Sequence, residues 1–241
     1  MMPAKPKSEA DHIIETRKAV IAAALPHVVF DGWSAATLAE AVADSGVDAG
    51  LAALAFPRGA VDLALAFHFA GDAEMRAQMA QAEFGALRYR DRVARAIAIR
   101  LQIAAPHKEA VRRGMALFAL PQHAADGARA VWHTADAIWD GLGDGSRDVN
   151  WYTKRMTLGA VYSACLLFWL GDEDGSETPA FIDRRIEDVM RFEKAKAAFR
   201  NSGMGKLWAA GPGKILGQVQ APSPQTDMPG YTGPTHANTE T

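Results

Sequence analysis

The sequence predicts an all-α fold: a helical bundle with a three-helix unit at its N-terminal end and a larger helical region behind it. Apolar residues recur at helical spacing, as in Ile13, Ile14, Val20, Ile21, Leu25 and Val28. The breaks between apolar segments, FDGWS, SGVD, FPRG, APH, LPQ, GLGDGSRD and GDEDGSETP, each supply the Gly, Pro or Asp that starts or ends a helix. There is little strand-like alternation. The spacing predicts helices over 9–29, 34–43, 48–56, 59–86, 90–104, 107–119, 122–141, 148–170, 178–200 and 203–217. Residues 1–8 and 218–241 read as disordered, the tail being rich in Pro, Gly and Thr with few large apolar residues.

Taken in order, residues 9–58 form the compact unit. Asp31-Gly32-Trp33-Ser34 turns the chain, and Ser34 and Asp48 are placed to cap the second and third helices by accepting from their free amides. Residues 59–202 form the larger region. Within it, 148–170 is apolar around much of its circumference, which places it centrally in a bundle or along a cavity. The 178–200 segment carries an amphipathic stripe, Phe181, Ile182, Ile186, Val189 and Met190. Residues 203–217 read as an amphipathic C-terminal helix interrupted at Gly211-Pro212-Gly213.

The 241 residues, 49% of them hydrophobic, are enough to bury a sizeable core. A net charge of -2 and a pI near 6.4 do not point to a nucleic-acid binder. The single cysteine, Cys165, excludes a disulfide framework and lies in the apolar run VYSACLLFWL, where it reads as a small buried hydrophobe. The polar, acid-containing N-terminus resembles neither a secretory nor a mitochondrial leader. The longest apolar run, 161–170, is about half of the roughly 20 residues a membrane span needs. These features predict a soluble protein of a bacterial cytoplasm, peripheral to the inner membrane.

Catalytic motifs are thin. Glu9 and His12 have the spacing of a di-iron ligand pair without the second pair or bridging glutamates. The seven histidines form no HxxxH or HExxH. GMGKLWAAGPGK fits no phosphate-loop spacing, DEDGSE is too short for a calcium loop, and no GxSxG elbow occurs. The chain reads as a binder rather than an enzyme, with no catalytic residue, metal or cofactor assigned.

The first three helices resemble the DNA-binding domain of TetR-family regulators. The matching residues are Gly32-Trp33, Ala36-Thr37-Leu38-Ala39, Gly46-Val47, Gly50, Phe56-Pro57 and Asp62-Leu63. The outward positions of a reading helix would carry polar and basic side chains, but here the segment is DAGLAALAF. Without lysine or arginine it cannot supply the phosphate neutralisation that dominates DNA affinity, and Arg17, Lys18 and Arg58 leave only a few candidate contacts. The scaffold is kept and the reading face is lost.

A second resemblance covers about 14–197 and is strongest at 148–155. The segment DVNWYTKRMTLGAVYSACLLFWLGDE, with LFALPQH and AIWDGLGDGSRD before it, is similar to the ninth-member family of the COQ set, which assists ubiquinone biosynthesis on a TetR-like fold. The resemblance implies an isoprenoid lipid or ubiquinone intermediate held in an apolar pocket and presented to the di-iron demethoxyubiquinone hydroxylase. It further implies a homodimer, a membrane surface touched by the C-terminal helix, and no nucleic acid. The hydroxylase-facing patch corresponds to Leu120, Pro121, Asp148, Trp151, Tyr152 and Arg155; Gln122 intervenes where the family often pairs Pro with His.

The residues permit this reading independently. A polyprenyl pocket needs aliphatic and aromatic walls without charge, which Leu101, Met115, Phe118, Trp139, Val161, Tyr162, Leu166, Phe168 and Trp169 supply if they are not plain core. Trp151, Tyr152 and Arg155 make an interface hot spot if exposed and a packing anchor if buried. Lys206, Leu207, Trp208, Lys214, Ile215 and Leu216 give an amphipathic, mildly basic surface for anionic lipid, docking onto the domain being the other option. The rival readings are a TetR-like transcriptional regulator with an apolar effector pocket and an enzyme acting directly on lipid.

Overall fold

The computed structural model describes residues 8–81, 84, 87–145 and 149–201. They form nine α-helices and two 3-10 turns, with no strand among the described residues. In chain order these are α1 (Glu9–Asp31), α2 (Ala35–Ser45), α3 (Ala49–Ala55), α4 (Ala60–Gln81), α5 (Tyr89–Ala104), α6 (Lys108–Phe118), α7 (Ala124–Gly141), α8 (Val149–Gly171) and α9 (Thr178–Asn201). The fold class read from the sequence is borne out.

Local chemistry sets the starts. Ser8, assigned to the disordered end by composition, instead opens α1 through a capping box with Asp11. Ser34 accepts from the Thr37 amide at 3.1 Å, and Asp48 Oδ1 accepts from Gly50 and Leu51 at 2.9 and 3.1 Å, as expected of both caps. Gly46 closes α2 in the left-handed region at φ 64°, which a Cβ would strain. Boundaries differ where proline intervenes. Pro106 and Pro121 put 3-10 turns at Ala105–His107 and Pro121–His123, because proline supplies no amide for a continuing α-helix. Helix α4 is described to Gln81 and Phe84 is no longer helical, short of the expected residue 86.

Two cores result. In the first, Val20, Ala24 and Val28 of α1 meet Trp33, Ala41, Phe56 and Leu63. Trp33 also donates from Nε1 to the Ala110 carbonyl at 2.9 Å, tying the three-helix unit to α6. In the second, Met75, Ile97, Ile138, Tyr162, Cys165 and Ile182 draw together α4, α5, α7, α8 and α9. Burial pushes the Cys165 thiol up to about 11, so it stays protonated.

No single helix among the described residues is long and apolar enough to cross a membrane; α3 and α4 pass that test only together, bent by 70°. The expected disorder of 1–7 and of 218–241, and the expected helix over 203–217, lie outside the described residues.

Candidate functional site

Three features flank the α7–α8 pair. The first is an outer cavity of about 260 Å³ enclosed by α5, α7, α8 and α9. Val93, Leu158, Val161, Ile186 and Val189 give it aliphatic walls, while Tyr89, Arg90 and Lys154 supply its polar groups. Trp139 forms one wall, with Tyr89 stacked 5.8 Å away and the Lys154 ammonium 5.4 Å from its ring centre. The Trp139 indole Nε1 is buried without a hydrogen-bond partner among the described residues.

The second is an inner cavity of about 280 Å³ between α4, α6, α7 and α8. Trp33, Phe67, Met115, Phe118 and Leu166 line it, with His68, Arg100 and Tyr162 at one wall. Behind that wall lies a buried polar network. Arg100 Nε donates to Asp72 Oδ1 at 2.8 Å, Thr134 Oγ1 donates to the same oxygen at 3.0 Å, and His133 Nδ1 lies 2.7 Å from Asp72 Oδ2. Burial works to raise the Asp72 carboxyl, but the His133 hydrogen bond and the Arg100 charge hold it below its ordinary value. Burial also drives the His68 imidazole down to about 4, so it is neutral near pH 7. Gly71 is required here: a Cβ would come within 2.8 Å of the Arg100 guanidinium carbon.

The third is an open groove where α6 ends and α7 faces α8, lined by Ala119, Ala124, Ala128, Trp132, Met156 and Ala160. Beside it Trp151 and Tyr152 meet edge to face at 4.8 Å, with Trp132 at 5.7 and 6.3 Å from them. Trp151 and Tyr152 are half-buried, and Leu120 (44% exposed) and Pro121, which follow Ala119 of the groove in sequence, are exposed.

Arg155 differs from a contact residue read from sequence. It is 2% exposed, stacks 4.0 Å from the Trp151 ring centre, and pairs with Asp136, Asp140 and Asp144. Its helical spacing from Trp151 carries it underneath the aromatic cluster rather than onto its surface. Burial and the neighbouring Asp136 charge push the Asp140 carboxyl up.

The nine residues selected as lipid-lining divide. Trp139 and Val161 line the outer cavity, and Met115, Phe118, Tyr162 and Leu166 the inner one. Leu101 and Trp169 are buried core, and Phe168 stacks on Phe181 at 4.1 Å; none of these three lines either cavity. Asp148 and the expected membrane-contact residues Lys206, Leu207, Trp208, Lys214, Ile215 and Leu216 lie outside the described residues. Sequence reasoning missed Trp132, His68, Asp72 and Arg100. An acid inside the apolar run LALAFHFAGD was the available signal for Asp72, but its partner lies on another helix.

On the three-helix unit, Leu54 is 65% exposed and Leu51 39%. Two of its basic groups are engaged within the protein, Arg58 with Asp62 and Asp126 and Arg17 with the Ala55 carbonyl at 3.2 Å, while Lys18 is exposed. Among the described residues no group of three or more His, Cys, Asp or Glu side chains is placed to hold a metal.

The fold is a TetR-like all-α bundle with cavities between its helices. A solved TetR transcriptional regulator from Nitrosomonas europaea superposes with a TM-score of 0.59, covering 72% of this chain and 97% of that one. At 20% identity that likeness concerns the fold alone. By sequence, the COQ9 family model matches residues 124–193, the segment that carries α7, α8 and most of the aromatic patch. The chain is 28% identical over 207 residues to the rat mitochondrial ubiquinone biosynthesis protein COQ9, covering 81% of this chain and 64% of the rat protein. The human counterpart is 28% identical over 198 residues (76% and 60% covered), and the probable Dictyostelium discoideum one 27% over 190 (76% and 62%). The chain thus spans less than two thirds of the length of these relatives. The COQ9 resemblance read from the residues is borne out. The expected bacterial cytoplasmic location is not: these relatives are named as mitochondrial proteins, which conflicts with it.

Proposed function

We propose that this chain acts in ubiquinone biosynthesis as a non-catalytic lipid-binding accessory. It holds an isoprenoid lipid or ubiquinone intermediate in its helical region and presents it to the demethoxyubiquinone hydroxylase. The observation that carries the reading is the pair of largely apolar cavities on either side of α7–α8, in a chain whose relatives bear COQ9 names. A polyprenyl chain keeps its apolar surface from water equally in a bilayer and in such a cavity, at about 25 cal/mol per Å² in either place. Transfer between the two is therefore near thermoneutral, and docking of a partner suffices to direct it.

The partner surface is the aromatic patch. Trp151 and Tyr152, backed by Trp132 and held over buried Arg155, give large rigid contact area beside the open groove. The chain works as a homodimer at a membrane surface, the amphipathic segment around Trp208 supplying the lipid contact. A TetR-like regulator is the weaker reading, because Arg58 and Arg17 are engaged within the protein and α3 presents leucines. Mass spectrometry of lipid extracted from the purified chain tests the proposal. Recovery of an isoprenoid quinone or its precursor is expected, and a preparation that yields no lipid overturns it.

A further inference from the structure

One end of the bundle concentrates positive charge, although the chain as a whole is slightly acidic. Residues 88–95 carry four arginines and one aspartate, and 191–201 carry two arginines, two lysines and one glutamate. Each stretch is therefore +3 in a chain whose net charge is -2. They are the start of α5 and the last turns of α9, and the fold brings these together: Tyr89 and Arg90 of α5 line the same outer cavity as Val189 and Met190 of α9. Charge gathered in this way repels itself unless an anionic surface compensates it.

The same end exposes apolar side chains. Ile182, Ile186 and Val189 form the inward stripe of α9. Phe192 follows at the same helical spacing but is 66% exposed, so the stripe runs past the helices that cover it among the described residues. Leu87, Tyr89 and Met190 are exposed at this end as well. Tyr89 and Met190 are at once cavity wall and outer surface, so the outer cavity opens here. The charges around it are only partly neutralised. Arg88 and Arg90 share the single carboxylate of Asp91, at 3.0 and 3.5 Å, and Arg92 Nε donates to the Leu87 carbonyl at 3.0 Å. On α9, Arg191 pairs with Asp188 at 2.7 Å, while exposed Lys194 makes no ion pair among the described residues. Surplus cations interleaved with exposed aromatic and aliphatic side chains match a surface that is anionic outside and apolar just beneath.

We propose that this end of the folded bundle, where α5 begins and α9 runs out, is a docking face for an anionic lipid bilayer. Leu87, Tyr89, Met190 and Phe192 enter the boundary between headgroups and acyl chains, and Arg88, Arg90 and Lys194 meet the headgroup phosphates. Charge alone would suit an acidic protein or a nucleic acid equally, but neither uses four exposed apolar side chains around the mouth of an apolar cavity. With its mouth against the bilayer, the outer cavity exchanges apolar surface with the membrane without passing it through water. This inference rests on the membrane-surface role proposed above and adds a contact made by the bundle itself, separate from the segment around Trp208.

The test is binding of the full chain to phosphatidylcholine vesicles made with or without phosphatidylglycerol. A polarity-sensitive dye is attached to Phe192→Cys, or to Leu54→Cys on the three-helix unit. The native Cys165 is buried with its thiol pushed up to about 11, so it stays unlabelled. Leu54 makes a fair control, because the 22 residues of α4 separate the two ends of the bundle by about 30 Å. The dye at 192 is expected to shift to the blue on the anionic vesicles, and the dye at 54 is not. Each cation near an anionic surface strengthens binding about fivefold, so Arg88→Gln with Lys194→Gln should weaken it roughly twentyfold. Vesicle binding with a silent dye at 192 overturns the inference, as does full affinity in the double variant; both leave a membrane role for the segment around Trp208 standing. A blue shift at 54 in place of 192 is equally fatal to it. A wild-type chain that binds neither kind of vesicle removes this face and the membrane-surface role together.

Discussion

In Arg155 a guanidinium lies 4.0 Å from the Trp151 ring centre with Asp136, Asp140 and Asp144 around it, and almost none of it reaches solvent. Its work is to hold the aromatic pair in place. Arg155→Ala takes a buried partner from Asp144, which keeps Lys154, and the support from under Trp151, and should cost about 1–3 kcal/mol, read as a lowered midpoint in urea denaturation. Trp151→Ala removes only the half-buried ring. It should leave that midpoint nearly unchanged while weakening hydroxylase association by about 2 kcal/mol, roughly thirtyfold, in a pull-down or titration. Unchanged association would exclude the patch as the docking surface.

His68 makes a second residue-scale prediction. Its folded pKa of about 4 lies below the ordinary 6.5, so the unfolded chain takes up the proton first as pH falls. The His68 contribution is complete above pH 6.5 and is lost between 6.5 and 4, at up to about 1.4 kcal/mol per pH unit. Thermal melts across that window should decline with acidity, and His68→Gln should flatten the decline.

At the scale of elements, close packing of α7 against the end of α6 shapes the inner cavity. A Cβ at Gly127 would lie 2.8 Å from the Phe118 Cβ, so Gly127→Ala must push the two helices apart. A cost of about 1–3 kcal/mol in chemical denaturation is expected, with less lipid recovered from the purified chain. Helix α3 behaves differently. Leu54→Lys replaces a side chain that is 65% exposed and should change stability by less than about 0.5 kcal/mol. Its three-helix unit still should not gain steep salt-dependent DNA affinity, because Arg58 remains engaged with Asp62 and Asp126.

For the whole molecule, the bundle is organised so that α7 and α8 serve both cavities and the aromatic patch at once, with cavities on two sides and the patch at one end. Filling one cavity should therefore leave the patch intact. Val161→Trp, directed into the outer cavity, is expected to lower the amount of lipid recovered from the purified chain without changing its helical circular dichroism. Undiminished recovery would locate the lipid elsewhere.

Helix order, the Ser34 and Asp48 caps and the two cores were legible along the chain, because helical spacing, capping hydroxyls and carboxylates, and glycine turns are local signals. So was the COQ9 resemblance, carried by the segment around NWYTKR. Burial was the limit. Nothing in the order of residues distinguishes Trp169 in the core from Trp139 at a cavity wall, or an Arg155 that touches a partner from one that props up Trp151. Asp72 and Arg100 are separated by 28 positions and His133 by 61 from Asp72, so their meeting depends on how three helices pack. The sequence by itself determined the helices and the family to which they are similar. Only the tertiary structure decided which polar groups are satisfied and which are left facing a cavity, because hydrogen bonding between helices depends on distances that periodicity does not encode.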